Sequence, residues 1–121
     1  MEALANAHSE PSALARKLDL IQKDAGVQGR EIAQLLGTTP QTVSRWRTGK
    51  AEPQSRSLSR LLTLAWLAEE LAEFYRPDEA RLWLFSPHRL LEGRRPADRI
   101  EEDRTEEVLA LIAQLRDGSY A

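Results

Sequence analysis

The chain has 121 residues, a net charge of −2, 41% hydrophobic and 30% charged residues, and no cysteine. This composition is typical of a folded, soluble protein with one modest core, or with two small units that share a core, and it excludes a disordered chain. The lack of cysteine excludes disulfides and thiolate metal sites and favours the cytoplasm. No apolar run approaches the ~18 residues of a membrane helix, and the first residues lack the basic start of a signal peptide.

The spacing of apolar residues predicts an all-α protein, because nearly every segment has helical periodicity and none alternates as a half-buried strand does. We expect residues 1–11 to be a disordered arm. A first helix is predicted from its N-cap Ser12 to Asp24, with Gly26 beyond its end. A second helix is predicted over residues 28–36.

Residues 29–48 have the spacing of a helix-turn-helix. Ala33, four residues before Gly37, lies in the first helix of the motif and lets the second helix of the motif approach closely. Gly37 can adopt the left-handed conformation that ends the first helix of the motif. Val43 and Trp46 lie one helical turn apart and anchor the second helix of the motif in the core. The motif makes double-stranded DNA the leading partner.

The second helix of this motif is the third helix of the chain. It is predicted to start at its N-cap Thr39 and to end before Gly49, and its outer face is predicted to contact DNA. Gln41 can pair with adenine and Arg45 with guanine in the major groove. The remaining candidates flank these two or are placed for phosphates. The full set of DNA-binding candidates is Gln28, Thr39, Gln41, Thr42, Ser44, Arg45, Arg47, Thr48 and Lys50. One such unit reads few base pairs, so we expect a homodimer on a palindromic site, through a surface that the sequence does not reveal.

The longest helix is predicted over residues 56–75, after a connector at residues 50–55. Its apolar face is wider than a surface helix needs, so we expect it to pack on both the N-terminal unit and the segment that follows. The predicted organisation is an arm (1–11), a helix-turn-helix domain (12–55), a connecting long helix (56–77) and a C-terminal unit (78–121).

The C-terminal unit is predicted to contain several short helices. Asp78 is expected to cap a helix that ends at Phe85, and the pair Ser86-Pro87 is expected to start another at residues 88–92. One more turn opens at Pro96, and the last helix covers residues 103–115 and is stopped by Gly118.

Charge alternates along the chain. Basic residues predominate in residues 41–60 and 81–99, and acidic residues predominate in 66–80 and 101–117. This alternation suggests a basic face for nucleic acid and a separate surface for another partner.

Two motifs resemble a known family. Residues 36–46, LGTTPQTVSRW, resemble the Xre-type helix-turn-helix, which many regulators share. Residues 80–98, ARLWLFSPHRLLEGRRPAD, followed by VLALI at 108–112 and by Gly118, resemble the toxin-binding domain of Xre-type antitoxins. These are the antitoxins of RES–Xre toxin–antitoxin modules, including a mycobacterial type. The resemblance covers residues 12–121, and the second motif is the more specific one.

The resemblance implies a partner, a RES-domain toxin that destroys NAD, whose active-site cleft the C-terminal region obstructs. It also implies repression of a shared promoter and a homodimer within a larger hetero-oligomer with the toxin. The toxin-binding candidates carried over by position are Trp83, Phe85, His88, Arg89, Arg94, Arg95, Gly118, Ser119, Tyr120 and Ala121. A terminal carboxylate beside Tyr120 would bring a negative charge and an aromatic ring to a cleft that binds NAD.

Each of these candidates also has a purely structural interpretation. Trp83 is more often a core residue than an interface residue, given its helical spacing from Ala80, and Phe85 cannot easily share its inward face. His88 could be an ordinary surface residue, and Arg94 and Arg95 could only solvate a turn.

The sequence offers no support for an enzyme. It has two histidines, no cysteine and no glycine-rich phosphate loop after a strand, so we expect no catalytic site, metal, cofactor or small-molecule substrate. Two alternatives to an antitoxin remain. One is a stand-alone dimeric repressor whose second half dimerises or senses a ligand, and the other is an interaction adaptor that no longer binds DNA.

Overall fold

The structure is a computed structural model that describes residues 12–118. The predicted arm at residues 1–11 and the tail residues Ser119, Tyr120 and Ala121 lie outside the described residues. The described chain is helical throughout and contains no strand, which confirms the all-α class. Its α-helices are α1 (Ala13–Ala25), α2 (Gly29–Leu35), α3 (Pro40–Arg47), α4 (Ser55–Ala72), α5 (Pro77–Leu84), α6 (Pro96–Glu101) and α7 (Thr105–Asp117), with a 3₁₀ helix at Arg89–Leu91 between α5 and α6.

Local capping chemistry sets the ends of the N-terminal helices. The Ser12 hydroxyl accepts a hydrogen bond from the Ala15 amide at 3.0 Å, so Ser12 caps α1 as predicted. Gly26 ends α1 in the left-handed conformation, with φ of 66°. Thr39 caps α3 in the same way, through a hydrogen bond from the Thr42 amide at 3.2 Å.

Three predicted helix starts in the C-terminal half are wrong. Arg76, not Asp78, is the N-cap of α5, because its amide donates to the Glu79 carboxylate at 2.9 Å and Pro77 takes the first helical position. The helix predicted at residues 88–92 is present as the 3₁₀ helix Arg89–Leu91, but His88 and not Ser86 is its N-cap.

The last helix begins at Thr105 rather than at residue 103. Asp103 itself adopts a left-handed conformation, with φ of 64°, in the turn between α6 and α7. The single turn predicted at Pro96 is a six-residue helix, α6.

The long helix α4 lies at the centre of the molecule and packs against α1, α5 and α7. This confirms that it packs on both the N-terminal and the C-terminal segments. One continuous hydrophobic core extends from Leu18 in α1 to Ile112 in α7. No helix within residues 12–118 has the length and hydropathy needed to cross a membrane.

Two contacts hold the N-terminal helices against α5. Gly26 packs so closely on the start of α5 that a Cβ atom there would lie 2.6 Å from the carbonyl oxygen of Pro77. Glu31 of α2 forms an ion pair with Arg81 of α5. The helix-turn-helix and the C-terminal helices therefore form one packed body.

Candidate DNA-binding face and C-terminal unit

The helix-turn-helix has the geometry that its spacing predicts. Gly37 makes the turn in the left-handed conformation, with φ of 71°. Val43 and Trp46 of α3 are buried in the core, as is Ala33 of α2. Since the apolar side of α3 faces inward, its polar side is presented to solvent.

The structure places most of the DNA-binding candidates at the surface of α3 and its ends. Arg45 is exposed, and its side chain has no ion pair or hydrogen bond among the described residues. Thr48 donates from its hydroxyl to the Ser44 carbonyl at 3.2 Å, which secures the end of α3. The exposed members of the set are Gln28, Thr39, Gln41, Ser44, Arg45, Thr48 and Lys50, and the half-buried ones are Thr42 and Arg47.

Arg47 differs from the other basic candidates because it is engaged within the fold. Its guanidinium forms an ion pair with Asp19 of α1 and lies 3.4 Å from the side-chain oxygen of Gln22. The contact braces α3 against α1. Sequence reasoning missed it, because the partners are 28 residues apart.

Gln28 occupies the N-cap of α2. Its backbone amide donates to the Glu31 carboxylate at 2.9 Å, so this amide is already paired within the helix.

Ion pairs between distant segments account for much of the charge alternation. Asp103 accepts from Arg60 at 3.0 Å and from Arg56 at 2.5 Å, and these guanidinium groups lower the pKa of its carboxyl. Arg116 pairs in turn with Glu70 of α4 and with Glu73, the C-cap of that helix. These residues of the charged segments are therefore engaged in ion pairs within the fold.

In the C-terminal unit, Trp83 belongs to the core, with 7% of its surface exposed. The ring of His88 meets the indole edge-to-face at 5.0 Å between centroids, and a ring nitrogen of His88 lies 3.2 Å from the Trp83 carbonyl oxygen. Only the rim of the indole lines a shallow surface groove, together with Leu82 and Pro87. A partner could touch this rim but could not surround the ring.

Phe85 lies between two arginines. The guanidinium carbon of Arg81 is 5.2 Å and that of Arg95 is 5.8 Å from the centre of the phenyl ring. Arg95 also donates to the Asp98 carboxylate at 2.7 Å, which lowers the pKa of Asp98 to about 2. Arg95 thus secures the start of α6.

Arg94 and the buried Arg99 belong to one ion-pair network. Arg94 pairs with Glu102, and Arg99 lies 3.2 Å from both Glu102 and Glu107. The Nε atom of Arg99 is within ion-pair distance of Glu107 but not in hydrogen-bond geometry. Sequence reasoning missed Arg99, since a charged residue is expected at the surface unless its partners are known.

Two exposed leucines of the C-terminal unit were not among the expected candidates. Leu82 and Leu90 are 66% and 49% exposed, and the helical phase set by Ala80 could have identified Leu82 as outward-facing. Arg89 is exposed and has no ion pair among the described residues. Gly118 ends α7 in the left-handed conformation, as predicted.

No group of three or more His, Asp or Glu side chains in residues 12–118 is placed to hold a metal ion. The carboxylates of the C-terminal unit are instead paired with arginines in the network of Arg94 and Arg99.

Two known families match different parts of this chain. The antitoxin Xre/MbcA/ParS C-terminal toxin-binding domain matches residues 67–118, and a helix-turn-helix family matches residues 19–64. The mycobacterial cidal antitoxins MbcA of Mycobacterium tuberculosis and Mycobacterium bovis are each 39% identical over 95 residues, which cover 78% of this chain and 84% of MbcA. The chain belongs to the Xre/MbcA/ParS antitoxin family.

The fold of this Xre/MbcA/ParS antitoxin is also that of a solved relative. A chain in the crystal structure of the M. tuberculosis MbcT–MbcA toxin–antitoxin complex superposes with a TM-score of 0.78 at 35% sequence identity. The superposition covers 91% of this chain and 99% of that one. The likeness therefore includes both the helix-turn-helix and the C-terminal unit.

Proposed function

We propose that this protein is the antitoxin of a type II toxin–antitoxin module. It binds a RES-domain toxin that degrades NAD, covers the active site of that toxin, and binds operator DNA to repress its own promoter. The observation that carries the proposal is the presence in one chain of a helix-turn-helix and a toxin-binding domain of the antitoxin family. The MbcA-containing complex with a toxin, MbcT, supports it.

The toxin-binding surface combines exposed apolar and cationic groups of the C-terminal unit. Leu82 and Leu90 offer apolar area to a partner, and Arg89 offers a free cation. Trp83 and Phe85 support this surface from below, with the rim of Trp83 and the ring of His88 in the groove. Arg94 and Arg95, which pair with Glu102 and Asp98 at the turn before α6, remain candidates for contact with the toxin.

We propose that the tail residues Gly118, Ser119, Tyr120 and Ala121 also contact the toxin. A cleft that holds the pyrophosphate of NAD is expected to be rich in hydrogen-bond donors. The aromatic ring of Tyr120 would stack where a ring of NAD lies.

Neutralisation assays on the full-length chain test this surface. The toxin is the protein encoded beside the antitoxin gene, and inhibition of its NAD consumption is measured. We expect Leu82→Glu and deletion of residues 119–121 each to weaken inhibition at least about tenfold, and the control Lys50→Ala to leave it unchanged. Full inhibition by both altered chains would contradict the proposed surface.

The DNA-binding face is that of α3, with Gln41 and Arg45 at base edges and Lys50 at a phosphate. A bidentate contact from Arg45 to guanine is worth roughly 1–3 kcal/mol of discrimination. Arg45→Ala is therefore expected to relax specificity between operator and scrambled duplexes. Lys50→Ala is expected to weaken binding to both duplexes alike.

Binding titrations of both variants on both duplexes measure this difference. An equal loss on both duplexes for both variants would contradict base recognition by Arg45. If the chain binds its promoter but the neighbouring protein neither binds it nor consumes NAD, the protein is a stand-alone repressor.

A further inference from the structure

Two arginines of α4 converge on a single carboxylate of the C-terminal unit. Arg60 donates from Nε to one oxygen of Asp103 at 3.0 Å, and Arg56 donates from Nη2 to the other oxygen at 2.5 Å. Neither arginine has a second ion pair among residues 12–118. Since two cations share one anion, the cluster keeps a net positive charge.

This cluster lies beside the turn of the helix-turn-helix. A Cβ atom built on Gly37 would be 3.1 Å from Nη1 of Arg60, so the guanidinium packs against that turn. The turn leads directly into α3, which begins at Pro40. The first residues of a recognition helix are those that reach base edges, and phosphates border the groove that the helix enters. A cation at this turn is therefore close to the expected path of the DNA backbone.

The arrangement around Asp103 is one that also suits a phosphate. A carboxylate and a phosphodiester each present two oxygens that share a negative charge, and the guanidinium fork binds either group. The side chain of Arg56 is 73% exposed, whereas that of Arg60 is 13% exposed. Arg56 is thus open to a phosphate from solvent, and Arg60 becomes open to one when Asp103 moves away.

We propose that Arg56 and Arg60 form a binding site for a phosphate of DNA, and that Asp103 occupies this site as an internal substitute for the phosphate. Both arginines lie within the helix-turn-helix match at residues 19–64, and Asp103 lies within the toxin-binding match at 67–118. The C-terminal unit therefore lowers the affinity of the helix-turn-helix for DNA. The inference rests on the proposed function only in that the helix-turn-helix binds DNA.

Asp103 is well placed to compete with a phosphate. Hydrogen bonds from Arg60 and Arg56 lower the pKa of its carboxyl, so the group is ionised at neutral pH. Its backbone amide donates to the Ile100 carbonyl at 3.1 Å, which fixes the turn between α6 and α7 at this point. A carboxylate tethered beside the arginines has a high effective concentration, whereas a phosphate must arrive from solution.

Titration of a scrambled duplex with the full-length protein tests the proposal, because a phosphate contact carries no sequence information. We expect Asp103→Asn to strengthen binding at least about fivefold and to steepen the log–log salt dependence by about 0.9 for each arginine released. Glu69→Gln removes the same charge from an exposed side chain of α4 that has no ion pair among the described residues, and should change affinity by less than about twofold. Equal changes for the two variants would reflect net charge alone and overturn the proposal.

A double-mutant cycle distinguishes release of an arginine from loss of a general repulsion. Arg56→Ala is introduced into the unaltered chain and into the Asp103→Asn chain, and binding to the same duplex is measured. We expect it to weaken binding at least about threefold more in the Asp103→Asn chain, because only there is Arg56 released to a phosphate. An equal loss in both chains would overturn the proposal.

The same titrations separate failure of this inference from failure of the proposed function. If the unaltered chain binds DNA and Asp103→Asn lowers stability in urea without changing affinity or salt dependence, the contact serves the fold alone and only this inference is wrong. If neither the unaltered chain nor Asp103→Asn binds any duplex, DNA binding itself is contradicted and the inference fails with it. Neutralisation of the toxin is measured separately and does not enter either outcome.

Discussion

The two halves of this protein treat their arginines in opposite ways. On the face of α3, Arg45 is exposed and unpaired among the described residues. In the C-terminal unit, Arg94, Arg95 and Arg99 are held by carboxylates within the fold. A cluster of arginines in a sequence thus leaves an exposed, unpaired cation on the proposed DNA-binding face in one half and forms a structural network in the other. Only the positions of their carboxylate partners distinguish the two.

Disrupting the contact between Gly26 and the start of α5, which joins the two halves, should have the largest effect on stability. Gly26→Ala would place a Cβ atom in a left-handed residue and 2.6 Å from the Pro77 carbonyl oxygen. We expect the free energy of unfolding to fall by about 2–4 kcal/mol, measured by urea denaturation.

Gly49→Ala is the matched control for that substitution. Its φ is +80°, but a Cβ atom there would contact nothing within 4 Å. The loss should be about 1–2 kcal/mol, from backbone strain alone. Equal losses at Gly26 and Gly49 would show that the close packing of α1 on α5 contributes nothing.

The contrast between Arg99 and Arg89 tests the structural role of the C-terminal network. Arg99→Met removes a buried cation from Glu92, Glu102 and Glu107, and we expect a loss of about 2–3 kcal/mol in the free energy of unfolding. Arg89→Met, at an exposed position, should change it by less than about 0.5 kcal/mol. The reverse order in thermal denaturation would refute the assignment of Arg99 to the fold and of Arg89 to the surface.

The pairing of Arg95 with Asp98 predicts a dependence of stability on pH. The pKa of Asp98 in the folded protein is about 2, below its ordinary value of 3.8. Its contribution, about 1–2 kcal/mol, is therefore complete above pH ~4 and is lost as the pH falls toward 2. Asp98→Asn should lower the free energy of unfolding at pH 6 and reduce its decline between pH 4 and 2.

Urea denaturation at several pH values measures this difference between Asp98→Asn and the unaltered protein. Glu69→Gln, at an exposed position without an ion pair among the described residues, serves as the control. Parallel pH profiles for Asp98→Asn and the unaltered protein would show that the pair does not contribute.

The smallest expected effect on stability concerns Arg47, which, unlike Arg45, forms an ion pair within the fold. Asp19→Asn breaks an exposed ion pair, so stability should change by less than about 1 kcal/mol. It also frees Arg47 for a phosphate, which should steepen the salt dependence of DNA binding by about 0.9 in log–log slope. An unchanged slope in titrations at several salt concentrations would mean that Arg47 does not reach the DNA.

Local rules explain what the sequence could predict. The caps at Ser12 and Thr39, the turn at Gly37 and the inward side of α3 depend on residues within one or two helical turns, so spacing alone identifies them. The recognised C-terminal motif similarly predicted the family. The predicted start of α5 was wrong because Arg76 lacks a typical capping side chain. Its backbone amide donates instead to the Glu79 carboxylate, which makes Arg76 the N-cap.

The remaining features depend on tertiary packing. Asp103 and its partners Arg56 and Arg60 are 43 to 47 residues apart in sequence, and no local pattern pairs them. The burial of Arg99 and the exposure of Leu62 and Trp66 likewise follow from how the helices pack together. Charge alternation alone could not distinguish internal pairs from binding surfaces.

The most direct test of the antitoxin assignment measures NAD consumption by the protein encoded beside this one. The two proteins are co-expressed and purified as a complex, and NAD is followed before and after the partner is released and refolded alone. The proposed function predicts no NAD loss from the complex, rapid loss with the released partner, and renewed inhibition when the full-length chain is added back. A partner that consumes NAD equally well in the complex would contradict it.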